Sequence, residues 1–268
     1  MIDAYQPGGL STFRLRRQTP GSFLLVPCPK QGRSIRCQGQ LEGAAAVILA
    51  ACPRVVHIQE QPLRIWYAWQ GAEGNLEIRL LENPPTAPRK REKGAGLSYI
   101  VPDFLVEMAG GSKRLVEVKP SRRLARPIVQ RKLAVGRAFA AQEGWTFHVV
   151  TEKELFYGPL LDNVRLLNRY RQGRTEPNVL EQLVLQVPSA GMGLCELLSG
   201  GDPSQRAYLK MHVFHLLAKG RLSFDPFSRL LDDQTLIFPG GVILWDPFDS
   251  LWAPSGSSTG GPGGLSAS

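Results

Sequence analysis

The chain has 268 residues, 43% of them hydrophobic and 21% charged, with a formal net charge of +9. That length accommodates one large core or two modest ones, and the basic balance favours an acidic partner, nucleic acid ahead of an anionic membrane. The longest apolar stretch, Gly43 to Cys52, is far shorter than the roughly 20 residues of a membrane span. The N-terminus lacks the apolar run of a secretory signal, and four cysteines without C-x-x-C spacing suit a reducing, cytoplasmic setting.

In chain order, residues 1–35 show no sustained periodicity and read as an irregular arm. Leu41 to Ala51 is rich in Ala, Leu, Ile and Val and predicts a buried helix ending before Pro53. Val55 to Ile58, Leu63 to Trp69 and Leu76 to Leu81 read as strands. A Pro/Gly-bounded loop follows, centred on Arg89, Lys90, Arg91 and Lys93, which reads equally as a solvated loop or a DNA contact. Two strands flank Ala109-Gly110-Gly111-Ser112, with hairpin punctuation between them. Arg126 to Gln142 predicts an amphipathic helix closed near Gly144, and Trp145 to Val150 another strand. Helix, antiparallel strands, helix and strand together suggest an α/β sandwich with a mixed sheet.

Beyond residue 155 the texture becomes helical: Leu160 to Arg171, Pro177 to Val187, Gly193 to Leu198 and Ser204 to Lys219, then short strands at Leu222 to Phe224 and Thr235 to Phe238. Helices followed by a small hairpin describe a winged helix-turn-helix over residues 156–250, against the plainer reading of a helical accessory domain. The tail 251–268 is Gly/Ser-rich and reads as disordered. His212 and His215 lie near Cys195 but lack a fourth ligand for zinc.

The chemistry concentrates between residues 98 and 120. Glu117 and Lys119 share one face of a strand, because side chains alternate. Asp103 begins the partner strand, and its face depends on the loop. A three-residue loop, Ala109 to Gly111, sets it across from Glu117; a two-residue loop sends it to the other face unless a bulge intervenes. Converging carboxylates repel unless one is protonated or a cation joins them, and hard oxygen ligands suit Mg²⁺ or Mn²⁺. Such an ion with a nearby lysine points to hydrolysis of a phosphodiester. The plain alternative is a structural ion pair of Glu117 with Lys119 or with the arginines after it. From Lys119 to Arg137 the chain carries Lys119, Arg122, Arg123, Arg126, Arg131, Lys132 and Arg137 and no acid, a run suited to DNA backbone or to a solvated helix face. Gln130 is a further candidate to face the site.

Leu41-Glu42, Cys52-Pro53-Arg54-Val55, Glu60-Gln61-Pro62-Leu63-Arg64-Ile65, Tyr99 to Val106, Leu115 to Pro120 and Glu143 to Glu152 together resemble the PD-(D/E)XK nucleases, and within them the TnsA family of transposon endonucleases. The resemblance covers roughly residues 40–155 and implies a restriction-endonuclease-like core over residues 36–155. It implies Glu42 as the helical acid, Asp103 and Glu117 as further metal ligands and Lys119 as the catalytic lysine, with Mg²⁺ as cofactor and Mn²⁺ able to substitute. Glu60 is the rival to Glu42, expected just before a strand and exposed. The family cuts the 5′ ends of a transposon in prokaryotic cells, beside a TnsB-like DDE transposase and a TnsC-like AAA+ regulator. Transposon-end DNA is thus an expected partner, and a membrane is not. Two other readings stay open: a stand-alone restriction- or repair-type nuclease, and a non-catalytic DNA-binding adaptor.

Overall fold

The computed structural model describes residues 24–71, 77–83 and 95–248. The centre of the basic loop, Arg89 to Lys93, and the tail from residue 251 lie outside these residues, as does most of the expected arm. Where the sequence reads as irregular, Leu24–Cys28 (β1) and Arg33–Cys37 (β2) form an antiparallel hairpin. A short 3-10 turn joins them through Gly32 at φ +63°. Leu24, Val26 and Cys28 of β1 and Ile35 and Cys37 of β2 turn inward, but local periodicity misses the alternation because the outward Leu25, 69% exposed, makes Leu24 to Val26 read as one apolar run.

Helix α1, Gln40–Ala51, is buried over most of its length, from Gly43 to Ala50. Its alanines let the backbone approach the hairpin on one side and the central sheet on the other. That sheet has the order β3-β7-β8-β9, with β3 Val55–Glu60, β7 Phe104–Met108, β8 Lys113–Val118 and β9 Thr146–Val150. β3, β7 and β8 are antiparallel and β9 runs parallel to β8, so the sheet is mixed, as expected. Phe104, Val106, Val116 and Val118 pack into the core that holds α1, each burial contributing about 1.5–3 kcal/mol.

The stretch before Asp103 does not run on as one strand. Ala95–Ile100 (β6) pairs with Ile65–Gln70 (β4), which also pairs with Glu77–Leu81 (β5), giving a second antiparallel sheet. Pro102 has no N–H for a ladder, and the chain breaks between Ile100 and Phe104 before joining the central sheet. Helix α2, Pro127–Gln142, fills the space between the sheets, with Val135, Phe139 and Ala140 against Leu63, Ile65, Tyr67, Leu105 and Leu115.

Gly136 lies in the middle of α2, where glycine normally costs about 1 kcal/mol relative to alanine. Here a Cβ would sit 2.4 Å from the Phe147 ring, so backbone and β9 meet only because the side chain is missing. Gly136→Ala is therefore expected to destabilise the protein by about 1–3 kcal/mol, read as a lower urea midpoint. An increase in midpoint would show that Phe147 has room to move.

After β9, Thr151 caps a short helix, α3, Glu152–Leu155, in a reciprocal box with Glu154. Helix α4, Leu160–Asn168, shorter than expected, places Leu160, Leu161 and Val164 in the first core and Leu167 in another. That other core is built by α5 Pro177–Gln186, β10 Met192–Gly193, α6 Leu194–Leu197, α7 Pro203–Ala218, β11 Leu222–Ser223 and β12 Leu236–Pro239. The three short strands run in the order β10-β12-β11. His212 bonds the Tyr208 carbonyl and accepts from the Glu176 N–H, and His215 bonds the Tyr170 carbonyl. Both imidazoles serve backbone groups. Among the described residues, no helix is long and apolar enough to cross a membrane.

Candidate active site

The hairpin between β7 and β8 settles which face Asp103 takes. Phe104 pairs with Val116 and Leu105 with Leu115, and the Met108 N–H donates to the Ser112 carbonyl at 2.9 Å. The loop is therefore the three residues Ala109, Gly110 and Gly111, with Gly111 at φ +79°, a conformation that costs glycine little. One step beyond Phe104–Val116, this register sets Asp103 opposite Glu117.

Side-chain contacts complete the cluster. The Val118 N–H donates to Asp103 Oδ2 at 2.7 Å. Lys119 Nζ lies 2.6 Å from Glu117 Oε1 and 3.4 Å from Asp103 Oδ2, and donates to the Val118 carbonyl at 3.1 Å. One ammonium thus bridges two carboxylates and a carbonyl. On the central sheet this cluster sits at the ends of β7 and β8, where both strands leave the sheet.

Glu42 belongs to the first turn of α1, and its Oε2 accepts the Gln38 N–H at 2.7 Å, tying down the helix start. Burial pushes its pKa up to about 7, with Asp103 the next cause, so the two carboxylates feel one another. Burial and then Asp103 likewise raise Glu117 to about 7. Asp103 is raised by burial, against the opposing pull of Lys119 and the Val118 N–H. Lys119 is buried too, but its two carboxylate neighbours outweigh that and hold its proton more firmly than in a free lysine.

These shifts set a pH dependence. Glu42 and Glu117 bind protons more tightly folded than unfolded, so ionising them costs stability between about pH 4.5 and about pH 7. Lys119 stays charged across that window and adds no slope. In the metal-free protein, the urea midpoint is expected to fall as pH rises from 5 to 8, and Glu42→Gln is expected to shrink that fall. An unchanged slope in the variant would place Glu42 outside the cluster.

Glu60, expected to be exposed, is instead buried at the end of β3. Its carboxylate pairs with Arg33 at 2.8 Å, and Arg33 also donates to the Ile58 carbonyl. A committed partner from β2 makes Glu60 a weaker candidate than Glu42. Cys37 lies among Glu42, Glu60 and Asp103, whose charges add to burial in pushing its thiol up to about 12. Gln61, next in the chain, adopts φ +46°, a strained conformation for a non-glycine residue, and its N–H donates to the Asp103 carbonyl at 2.9 Å. Cys37 carries no sequence signal for this position, and Gln61 carries one only as part of the Glu60-Gln61-Pro62 run.

Of the basic residues, Arg122, Arg123, Arg126 and Lys132 are exposed around the start of α2. Lys132 lowers the pKa of both Asp103 and Glu117, which puts its charge on the site side of the helix. Arg131 turns away and lies over the Trp69 ring at 3.9 Å. Gln130 donates to the Leu124 carbonyl at the surface rather than facing the site.

Among the described residues, no group of three or more His, Cys, Asp or Glu side chains is gathered as a metal cage. The ammonium of Lys119 lies between Asp103 and Glu117, and Glu42 accepts from Gln38. The donor set still fits a hard divalent ion, since two carboxylates and a carbonyl already converge on one cation. Against known families, residues 52–152 match the TnsA-like endonuclease N-terminal domain. Asp103, Glu117 and Lys119 fall inside that match, and Glu42 precedes it. No curated protein matches the chain.

Proposed function

From residues 52–152, a TnsA-like endonuclease N-terminal domain, we propose that this protein is the metal-dependent DNA endonuclease subunit of a cut-and-paste transposase. In this reading it cleaves the 5′ ends of a transposon beside a TnsB-like DDE transposase and under a TnsC-like AAA+ regulator. The observation that carries the reading is Lys119 bridging Asp103 and Glu117 across the β7–β8 hairpin.

Asp103, Glu117 and the Val118 carbonyl would hold Mg²⁺ or Mn²⁺, with Glu42 as the third carboxylate. A bound ion supplies an acidified water and neutralises charge on the phosphate. Lys119 contributes separately. With its ammonium retained at neutral pH, it holds a water or hydroxide by hydrogen bonding and stabilises negative charge as the phosphodiester is attacked. Arg122, Arg123, Arg126 and Lys132 would seat the DNA backbone next to this point, making binding salt-sensitive.

The region beyond α4 fits a winged-helix fold. Its order, helix, strand, helix, helix, strand, strand, and the β10-β12-β11 sheet support that reading, which would give transposition partners a docking module. The test is nicking of a transposon-end duplex with the cognate DDE transposase, with Mg²⁺, with Mn²⁺ and with chelator. Nicking restored by either metal and abolished by chelator is expected. Equal DNA binding in all three conditions, with strands never cut, would leave the adaptor reading instead.

A further inference from the structure

The outer face of the second sheet plays no part in the cluster of Asp103, Glu117 and Lys119. Along β4 the inward residues Ile65, Tyr67 and Trp69 pack on α2, so Arg64, Trp66 and Ala68 point the other way. Trp66 pairs directly with Tyr99 of β6, ring centroids 4.8 Å apart, and Leu81 of β5 flanks Trp66 on the opposite side. Arg64 lies over the Tyr99 ring at 5.6 Å. Arg79, opposite Ala68, is exposed on the same face.

A cross-strand aromatic pair stabilises a sheet wherever it occurs, but such pairs need no cations around them. Here Tyr99 remains 39% exposed with a guanidinium at its ring and a second arginine nearby. Position adds a further constraint. Tyr99 is four residues before Asp103 and Arg64 is three after Gln61, whose N–H bonds the Asp103 carbonyl. Four residues span at most about 14 Å, so the aromatic face lies within a few nucleotides' reach of the cluster.

An exposed ring backed by a half-buried one on a sheet, with arginines beside them, forms a stacking platform for unpaired bases: every base offers a π-face, and arginine meets the phosphates. We propose that Tyr99 and Trp66, with Arg64 and Arg79, bind unpaired nucleotides of DNA beside the phosphate to be cut. The protein then prefers DNA locally opened at its cleavage position over an intact duplex. This inference rests on the endonuclease reading for its position beside the cut, but its binding test does not require cleavage.

The experiment measures fluorescence anisotropy of the full chain, in chelator, with a labelled duplex and with the same duplex carrying a four-nucleotide bubble. The wild type is expected to bind the bubble about tenfold more tightly. Tyr99→Ala should remove most of that preference while leaving duplex affinity within about twofold, and Tyr99→Phe, which keeps the ring, should retain it. Arg79→Gln, at an exposed position that folding tolerates, should weaken the bubble complex more than the duplex complex. Equal wild-type affinity for both DNAs overturns the proposal, as does a preference untouched by both Tyr99→Ala and Arg79→Gln. A bubble preference without metal-dependent nicking would support this face and overturn the endonuclease reading. Nicking without the preference would do the reverse.

Discussion

Asp103→Ala is expected to lower 5′-end nicking by about 10³-fold or more while leaving the thermal midpoint within a few degrees of wild type. The loss follows from the site. Asp103 touches Lys119 and the Val118 N–H and raises the pKa of both Glu42 and Glu117. Without it, both the proposed ion and Lys119 lose a ligand, and removal of one preorganised electrostatic group alone commonly costs 10²–10³ in rate. Stability responds to opposing terms. The variant strands the Val118 N–H, a penalty of about 1–3 kcal/mol, and relieves the repulsion among three largely desolvated carboxylates. Strand-specific cleavage assays and a melting curve on one preparation check both halves. Nicking retained with a correctly folded variant would remove Asp103 from the chemistry.

The second large effect lies far from the cleavage chemistry. Asp246→Ala is expected to destabilise the protein by about 3–5 kcal/mol, read from urea unfolding. Asp246 is 1% exposed, and its carboxylate pairs with Arg114 of β8 at 2.9 Å and approaches Arg54, before β3, at 3.7 Å. The same carboxylate accepts the Phe248 N–H, and Phe248 packs beside His148 and under Arg114. The Cys52 thiol donates to the Trp245 carbonyl one residue earlier. Residues 245–248 thus strap the C-terminal part of the chain onto the central sheet. Alanine would leave Arg114 half-buried and unpaired by Asp246 beside His148, whose pKa burial and Arg114 already lower to about 4. Asp246→Leu with Arg114→Met should recover much of the loss, because an apolar pair of similar volume replaces a desolvated ion pair. A loss below about 1 kcal/mol in Asp246→Ala would mean that water reaches the strap.

The sequence alone determined the elements whose signal is local. Two short apolar runs around Ala109-Gly110-Gly111-Ser112 marked the β7–β8 hairpin, the alanine-rich run marked α1, and the Arg126 to Gln142 periodicity marked α2. It also placed Glu117 and Lys119 on one face, since strand alternation needs no partner. What neighbours decide was not legible. The face of Asp103 depended on a loop of two or three residues, and only the Met108–Ser112 bond chose three. The pairing of Glu60 with Arg33 depended on a hairpin whose exposed Leu25 hides its alternation. The break at Pro102 sent β6 to a separate sheet, and Asp246 met β8 from 132 residues away. Local chemistry sets which residues form a strand or helix; which buried charges share one dielectric pocket is set by the packing of distant segments.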